Sequence, residues 1–123
     1  MAIGSRYVTG GAVEGWPWHR RTLSRTINGL SRAALGLPVR DSSGAFRAYR
    51  VATLRELRLA DIRAEGYAYL EEILWHLARL DATFAEVPIT FRQRRAGVSK
   101  VSLREAAGKL ATLARLAVRR RGA

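Results

Sequence analysis

The chain has 123 residues, 48% of them hydrophobic, and carries 22 Lys and Arg against 10 Asp and Glu, which gives a formal charge of +12. This length suffices for one hydrophobic core, and the charge would draw the chain towards phosphates, nucleic acid or an anionic membrane. The absence of cysteine excludes disulfides and thiolate metal sites. No apolar run reaches the roughly 18 residues of a spanning helix, so we expect neither export nor a membrane span. Most of the basic residues are arginines, and a GC-rich genome explains the scattered ones as well as selection for binding does.

The first half of the chain reads as strand, helix, strand and short helix. Residues 2–8 are compatible with a short strand, and the glycine pair after them permits a tight turn. Apolar residues then recur at spacings of four, three and four, which predicts an amphipathic helix over 17–35 that ends near Gly36. Residues 41–44 read as a loop, 45–50 as a short strand and 51–57 as a brief helix.

The helix predicted over 17–35 has two different sides. Its apolar side consists of Leu23, Ile27, Leu30 and Ala34, and such a side normally packs on a core. The other side carries Arg20, Arg21, Ser24, Arg25, Asn28 and Arg32. Because Arg20 and Ser24 lie one turn apart, they can reach one common ligand. A basic helix face that is simply solvated is the competing interpretation.

The second half adds a helix, a strand and a last helix. A polar connection over 58–66 leads to a helix over 67–80 with a broad apolar face. Residues 82–91 alternate like a strand, in which Pro88 marks an edge or a bulge. Residues 92–100 read as a mobile basic loop, and a capping box starts the final helix, over 102–118. The order predicts one α/β domain over 1–123, with about three strands, three main helices and an exposed sheet edge.

Three clusters of residues suit phosphate chemistry. Arg6 follows Gly4-Ser5 in the first strand, Arg20 and Ser24 share a helix face, and a third cluster covers 92–95 and 97–100. Arginine binds phosphate oxygens in a two-point fork, a hydroxyl adds a hydrogen bond, and glycine lets backbone N–H groups approach. Each cluster is a weak signal when it is taken singly.

Further short segments lie between these clusters in a fixed order. They are Tyr7-Val8 directly after Arg6, Gly10-Gly11, Gly15-Trp16, Arg25 and Asn28 after Ser24, Arg40-Asp41-Ser42-Ser43-Gly44-Ala45-Phe46-Arg47-Ala48-Tyr49-Arg50, Gly66-Tyr67, Glu72, Glu86-Val87-Pro88-Ile89-Thr90-Phe91 and Gly97-Val98-Ser99-Lys100. Together with the three clusters they resemble the dolichol- and polyprenol-phosphate mannosyltransferases of glycosyltransferase family 2. The resemblance covers nearly the whole chain.

The resemblance implies a GT-A fold, of which residues 1–123 form the C-terminal, acceptor-binding half. The family's N-terminal half binds GDP-mannose and a divalent metal, Mg²⁺ or Mn²⁺, through an Asp-x-Asp motif, and we find no such half in this sequence. We therefore expect the chain to be inactive alone, and a separately encoded donor-binding half is a candidate partner. The reaction implied is transfer of mannose to a polyprenyl phosphate with inversion at the anomeric carbon.

The resemblance also implies roles for individual residues. Arg6, Arg20 and Ser24 correspond to the residues that bind the phosphate of the lipid acceptor. Arg94 corresponds to a loop arginine that contacts the donor diphosphate, and Lys100 supports that loop.

Asp41 lies in the family's segment beside the reaction centre, where it would orient the acceptor or a metal-bound group. Glu72 matches the family's helix carboxylate. An ion pair of Glu72 with Arg6 or Arg47 that organises the site is at least as good an explanation for it as catalysis.

The final helix is amphipathic and basic, and it ends in the run Arg119-Arg120-Arg121. Such a helix can lie on an anionic membrane surface, which predicts a peripheral protein at the cytoplasmic face of the membrane. The alternative is that its apolar side only covers the sheet. Trp16 and Trp18 have the same two explanations, as core residues or at a lipid interface.

Two other classes of function compete with the enzyme. A charge of +12 would serve a small nucleic-acid-binding protein, but we find neither aromatic stacking platforms nor a recognisable motif of that class, so we expect no nucleic acid partner. The other class is an interaction fragment that only completes a partner.

Overall fold

The computed structural model describes residues 1–93 and 103–122, and for Leu103 the backbone alone. It is a mixed α/β structure with four α-helices and five short strands in those residues. In chain order they are β1 (Ala2–Ser5), β2 (Ala12–Glu14), α1 (Trp18–Leu35), β3 (Arg47–Ala48), α2 (Val51–Glu56), α3 (Tyr69–Arg79), β4 (Ala85–Pro88), β5 (Thr90–Arg92) and α4 (Leu103–Arg121). The loop predicted over 92–100 and the capping box at residue 102 fall largely outside the described residues.

The strands form two small sheets. One has the order β3-β1-β4, in which β4 runs parallel to β1 and β3 runs antiparallel to it. The other pairs β2 with β5 in parallel. The prediction of a single strand over 82–91 is therefore wrong. The segment forms two strands that are separated after Pro88, and β4 and β5 belong to different sheets. Ile89 joins the two, because its N–H donates to the carbonyl of Ser5 and its carbonyl accepts from Ala12.

The hydrophobic core lies where three helices meet β1. It is made of Ile3, Leu35, Leu37, Val39, Leu74, Trp75, Leu113 and Leu116. Ile3 comes from the central strand and the others from α1, the segment after it, α3 and α4. The final helix thus covers the core, as one of its two interpretations requires, although Leu110 and Val118 on it are exposed.

Helix α1 does not bury the face that its periodicity predicts. Leu23 and Leu30 are 56% and 50% exposed, whereas Asn28, Ser31 and Leu35 are buried. The physical reason is that Asn28 finds hydrogen-bond partners in the loop after the helix: the amide oxygen of Asn28 accepts from the N–H and the hydroxyl of Ser42. Burial of a polar side chain is tolerated when its hydrogen bonds are made, and here they decide the orientation of the helix.

Helix α1 ends where the sequence predicts. Gly36 has φ +66°, a left-handed conformation that glycine adopts without strain, and the N–H of Leu37 donates back to the carbonyl of Arg32. The guanidinium of Arg120, on α4, donates to the carbonyls of Ala33 and Ala34 at 3.2 Å each.

Among the described residues, no helix is both long and apolar enough to cross a membrane.

Candidate phosphate-binding site

Arg6, directly after β1, is held by a buried carboxylate. Its Nε lies 2.8 Å from Oδ2 of Asp41 and its Nη2 lies 2.8 Å from Oδ1, so the contact is a two-point fork. The backbone N–H of Arg6 donates to the same Oδ2 at 3.0 Å. Asp41 is fully buried and Arg6 is 9% exposed. One residue therefore fixes both the backbone and the side chain of Arg6.

The Arg6–Asp41 pair stays ionised at neutral pH. Burial by itself would raise the pKa of Asp41, but the hydrogen bonds and the positive charge of Arg6 outweigh it and hold this pKa below its ordinary value. Burial likewise opposes the charge on Arg6, and Asp41 reverses the effect, so the pKa of Arg6 is raised. The buried guanidinium is a permanent cation at this position.

The loop that carries Asp41 is tied down from three sides. The carboxylate of Glu86, on β4, accepts the N–H groups of Arg40 and Asp41 at 3.0 Å. Arg47 donates to the carbonyls of Gly44, Ser42 and Leu70 at 2.6, 2.8 and 3.0 Å. Asn28 of α1 accepts from Ser42. Arg47, predicted to organise the site, thus contacts the Asp41 loop through backbone carbonyls.

Arg20 and Ser24, on α1, lie beside Arg6. The guanidinium carbon of Arg20 is 4.3 Å from the centre of the Trp16 ring, and that of Arg6 is 5.4 Å from the same ring. The hydroxyl of Ser24 is hydrogen-bonded to that of Tyr7, which follows Arg6 in the chain. The structure therefore brings together the three side chains predicted to bind the acceptor phosphate. We call Arg6, Tyr7, Trp16, Arg20 and Ser24 the Trp16 cluster.

The Trp16 ring is the aromatic surface on which the guanidinium of Arg20 stacks. Trp16 is half-buried and packs edge-on against Phe91 of β5, with ring centres 5.4 Å apart. Stacking on an aromatic ring holds a guanidinium in place while its N–H groups remain available for a ligand. Trp18, by contrast, is 78% exposed. Tyr7 belongs to the motif Gly4-Ser5-Arg6-Tyr7-Val8, but the sequence predicts no role for it, because its contact is with a residue 17 positions away.

Glu72 lies elsewhere, and its predicted ion pair with Arg6 or Arg47 is wrong. Its carboxylate is 3.1 Å from Nη2 of Arg115 on α4, and it also accepts the N–H groups of Arg63 and Ala64. Burial opposes the charge, but Arg115 and these N–H groups lower the pKa of Glu72. The reason for the error is geometric: α3 directs Glu72 towards α4, and Asp41 already holds Arg6.

The neighbouring Glu71, which the sequence analysis overlooked, is fully buried too, with Nζ of Lys109 2.7 Å away. Burial is the stronger influence here and raises the pKa of Glu71. The two adjacent carboxylates thus join α3 to α4.

Arg94 and Lys100, the two residues predicted for the donor diphosphate and its loop, lie outside the described residues. In residues 1–93 and 103–122 no three His, Asp or Glu side chains are grouped so that they could hold a metal ion. The carboxylate oxygens of Asp41 are both bonded to Arg6. The described residues therefore do not fit a Mg²⁺ or Mn²⁺ site.

No family model matches the chain. It is 43% identical over 114 residues to the polyprenol monophosphomannose synthase of Mycolicibacterium smegmatis, a match that covers 90% of this chain and 43% of that protein. It is 40% identical over 102 residues to the undecaprenyl-phosphate mannosyltransferase of Micrococcus luteus, covering 83% of this chain and 42% of that protein. The chain thus spans less than half the length of these relatives. The resemblance predicted from the motifs is confirmed: over most of its length, this chain is homologous to part of two proteins named polyprenol monophosphomannose synthase and undecaprenyl-phosphate mannosyltransferase.

Proposed function

We propose that this chain is the acceptor-binding part of a polyprenol-phosphate mannosyltransferase, and that the Trp16 cluster binds the phosphate of the lipid. The observation that carries the proposal is the convergence of two guanidinium groups on one tryptophan ring, with the Ser24 hydroxyl one helical turn from Arg20. Two cations and a hydroxyl are the groups that a phosphate monoester requires. The names of the relatives supply the lipid class.

In this proposal Asp41 acts by holding Arg6. Its two oxygens are bonded to Nε and Nη2 of that residue, which keeps the guanidinium in one orientation before a ligand arrives. Preorganised charge lowers the cost of ordering a site on binding. The second pKa of a phosphate monoester is about 6, so the group is largely a dianion at neutral pH. Its attack on the sugar therefore requires no strong base.

The complete reaction that we propose is transfer of mannose from GDP-mannose to the polyprenyl phosphate. A phosphate oxygen attacks the anomeric carbon from the side opposite to the leaving GDP, which inverts the configuration. Arg94 and Lys100 are proposed to contact the donor diphosphate. We place the GDP-mannose site of a GT-A fold, together with any Mg²⁺ or Mn²⁺, in a part of the enzyme beyond the described residues.

The position proposed for the protein is the cytoplasmic surface of the membrane, as a peripheral protein. Exposed Leu110 and Val118 on α4, at 53% and 71% exposure, lie on the same helix as the basic run at its end. Apolar side chains flanked by arginines suit the interface of an anionic bilayer.

The test of the function is a transfer assay with radiolabelled GDP-mannose, undecaprenyl phosphate and magnesium. The chain would be assayed alone and fused to the portion of the M. smegmatis relative that it does not cover. We expect mannosyl lipid from the fusion and none from the chain alone. Transfer by the chain alone would contradict the proposed need for a donor-binding part, and transfer by neither protein would contradict the proposed function.

Within the fusion, Arg20→Ala distinguishes a phosphate ligand from a structural residue. Loss of one charge-assisted contact should raise KM for the lipid about 10-fold or more and leave GDP-mannose binding unchanged. Arg32→Ala is the matched control, because Arg32 is an exposed arginine of the same helix, 12 residues and therefore about 18 Å further along. Equal losses for lipid and donor in Arg20→Ala would show that Arg20 only supports the fold.

A further inference from the structure

The hydroxyl groups of α1 are bonded in two different ways. Those of Thr22, Thr26 and Ser31 each donate to the backbone carbonyl four residues earlier, at 3.0, 2.8 and 2.9 Å. This is the usual bond for such side chains in a helix. Ser24 departs from the pattern, because its Oγ is hydrogen-bonded to the phenol of Tyr7 outside the helix. The helix thus presents one serine hydroxyl to the Trp16 cluster.

We propose that Tyr7 is a positioning residue for the acceptor phosphate: its hydroxyl donates to Ser24 Oγ and so leaves the proton of Ser24 free to donate to a phosphate oxygen. The inference rests on the proposed function of the Trp16 cluster as a phosphate site. It adds a role for Tyr7 and a direction of hydrogen bonding, neither of which the family resemblance supplied.

The direction of the bond follows from the chemistry of the two groups. A hydroxyl has one proton and two lone pairs, so a Ser24 that donated to Tyr7 would have no proton left for a ligand. A phenol is a far stronger acid than an aliphatic alcohol and is therefore the better donor of the two. A hydroxyl that accepts one hydrogen bond also becomes a stronger donor in the next. An anion beside Ser24 therefore favours the chain Tyr7 to Ser24 to phosphate.

Tyr7 is itself fixed in this position. It directly follows the buried Arg6, whose guanidinium carbon is 5.1 Å from the centre of the Tyr7 ring. The guanidinium of Arg25, on α1, lies 5.9 Å from the same ring. The backbone N–H of Tyr7 also donates to the hydroxyl of Ser5 at 3.3 Å. Tyr7 is therefore contacted by residues next to β1 and by a residue of α1. Such contacts on two sides are needed if Tyr7 is to orient another side chain.

The experiment is a double-mutant cycle on the whole chain, with geranyl phosphate, a water-soluble isoprenyl monophosphate, titrated by calorimetry. We expect Tyr7→Phe to weaken binding about 3- to 10-fold and Ser24→Ala by about 10-fold. In the double variant, Tyr7→Phe should cause no further loss, because it acts only through Ser24. A residue with a merely structural role would not show this coupling. Tyr69→Phe, which removes the same atom from a tyrosine 43% exposed on α3, is the matched control.

The outcomes separate the inference from the function on which it rests. If Arg20→Ala and Ser24→Ala bind geranyl phosphate as well as Arg32→Ala does, the proposed phosphate site is wrong, and the role of Tyr7 with it. If Arg20→Ala and Ser24→Ala weaken binding but Tyr7→Phe does not, the inference alone is overturned. It is overturned equally if the losses of Tyr7→Phe and Ser24→Ala add in the double variant. Thermal unfolding of each variant checks that all are folded.

Discussion

Two regions of the molecule bury a carboxylate next to a cation, and the two carboxylates respond in opposite ways. Asp41 receives two N–H groups from the guanidinium of Arg6 and a third from the backbone, and its pKa is lowered. Glu71 is as deeply buried but has the single ammonium of Lys109 at 2.7 Å, and its pKa is raised. Burial is the largest influence in both cases. The number and geometry of the donors decide whether the charged form is favoured.

The two regions also differ in what their cations can reach. Arg6 is paired with Asp41, and its guanidinium carbon lies 5.4 Å from the centre of the Trp16 ring, which Arg20 also approaches. Lys109 and Arg115 join α4 to the two glutamates of α3, so these ion pairs connect two helices. The first arrangement holds a guanidinium beside an aromatic ring and a second guanidinium, and the second joins two helices of the core.

Asp41→Asn should have the largest effect. The amide can offer only one acceptor oxygen to the fork of Arg6, and its NH₂ group faces a second donor, so a buried guanidinium is left partly unpaired. Breaking a buried ion pair in this way costs about 3–5 kcal/mol of the free energy of unfolding. Urea unfolding of the chain measures it. Asp61→Asn is the control: Asp61 forms an exposed pair with Arg58 at 3.7 Å, and its loss should cost less than about 1 kcal/mol. Similar costs for the two variants would contradict the assignment of Asp41 as the anchor of Arg6.

Glu71→Gln should change the pH dependence of stability. Because the folded pKa of Glu71 is raised, the native state binds more protons than the unfolded state above the ordinary glutamate pKa of about 4.3. The contribution of Glu71 to the free energy of unfolding therefore falls as pH rises through this window, and glutamine abolishes that fall. Relative to that of the natural chain, the free energy of unfolding of Glu71→Gln should therefore increase as pH rises above about 4.3, measured by urea unfolding at each pH.

Glu72→Gln is the matched control for that experiment, since it makes the same change one residue further on. The pKa of Glu72 is lowered, so its contribution is present above about pH 4.3 and is lost as pH falls. Glu72→Gln should therefore lose stability at pH 7 relative to the natural chain, and the loss should shrink on acidification. If the stability of both variants, relative to the natural chain, changed with pH in the same direction, the explanation by the number of hydrogen-bond donors would be wrong.

The sequence predicted the helices well because their ends carry local signals. The helix predicted over 17–35 is observed as Trp18–Leu35, and Gly36 ends it. The helices predicted over 67–80 and 102–118 are observed as Tyr69–Arg79 and Leu103–Arg121. The strands were harder to predict. β4 pairs with β1 and β5 pairs with β2, and these partner strands lie far away in the sequence.

The candidate site was predictable in its residue types and much less so in its contacts. Arg6, Arg20 and Ser24 were found through their motifs, but the bond between Arg6 and Asp41 joins residues 35 positions apart. The buried side of α1 depends on Asn28, whose partner Ser42 comes from a loop, so periodicity pointed to the wrong face. Pairings of this kind depend on tertiary geometry and leave no local pattern.

The smallest predicted effect concerns an exposed cation, Arg120, that donates to backbone carbonyls. Arg120 donates to the last carbonyls of α1, and it can approach them because Gly36 has no side chain: a Cβ there would lie 2.7 Å from the guanidinium carbon. A positive charge at a helix C-terminus contributes about 0.3–1 kcal/mol. Arg120→Ala should therefore lower the free energy of unfolding by about that amount and speed amide hydrogen exchange at Leu37. Arg121→Ala removes an exposed arginine from the same helix and should do neither, so equal effects of the two substitutions would mean that only net charge matters here.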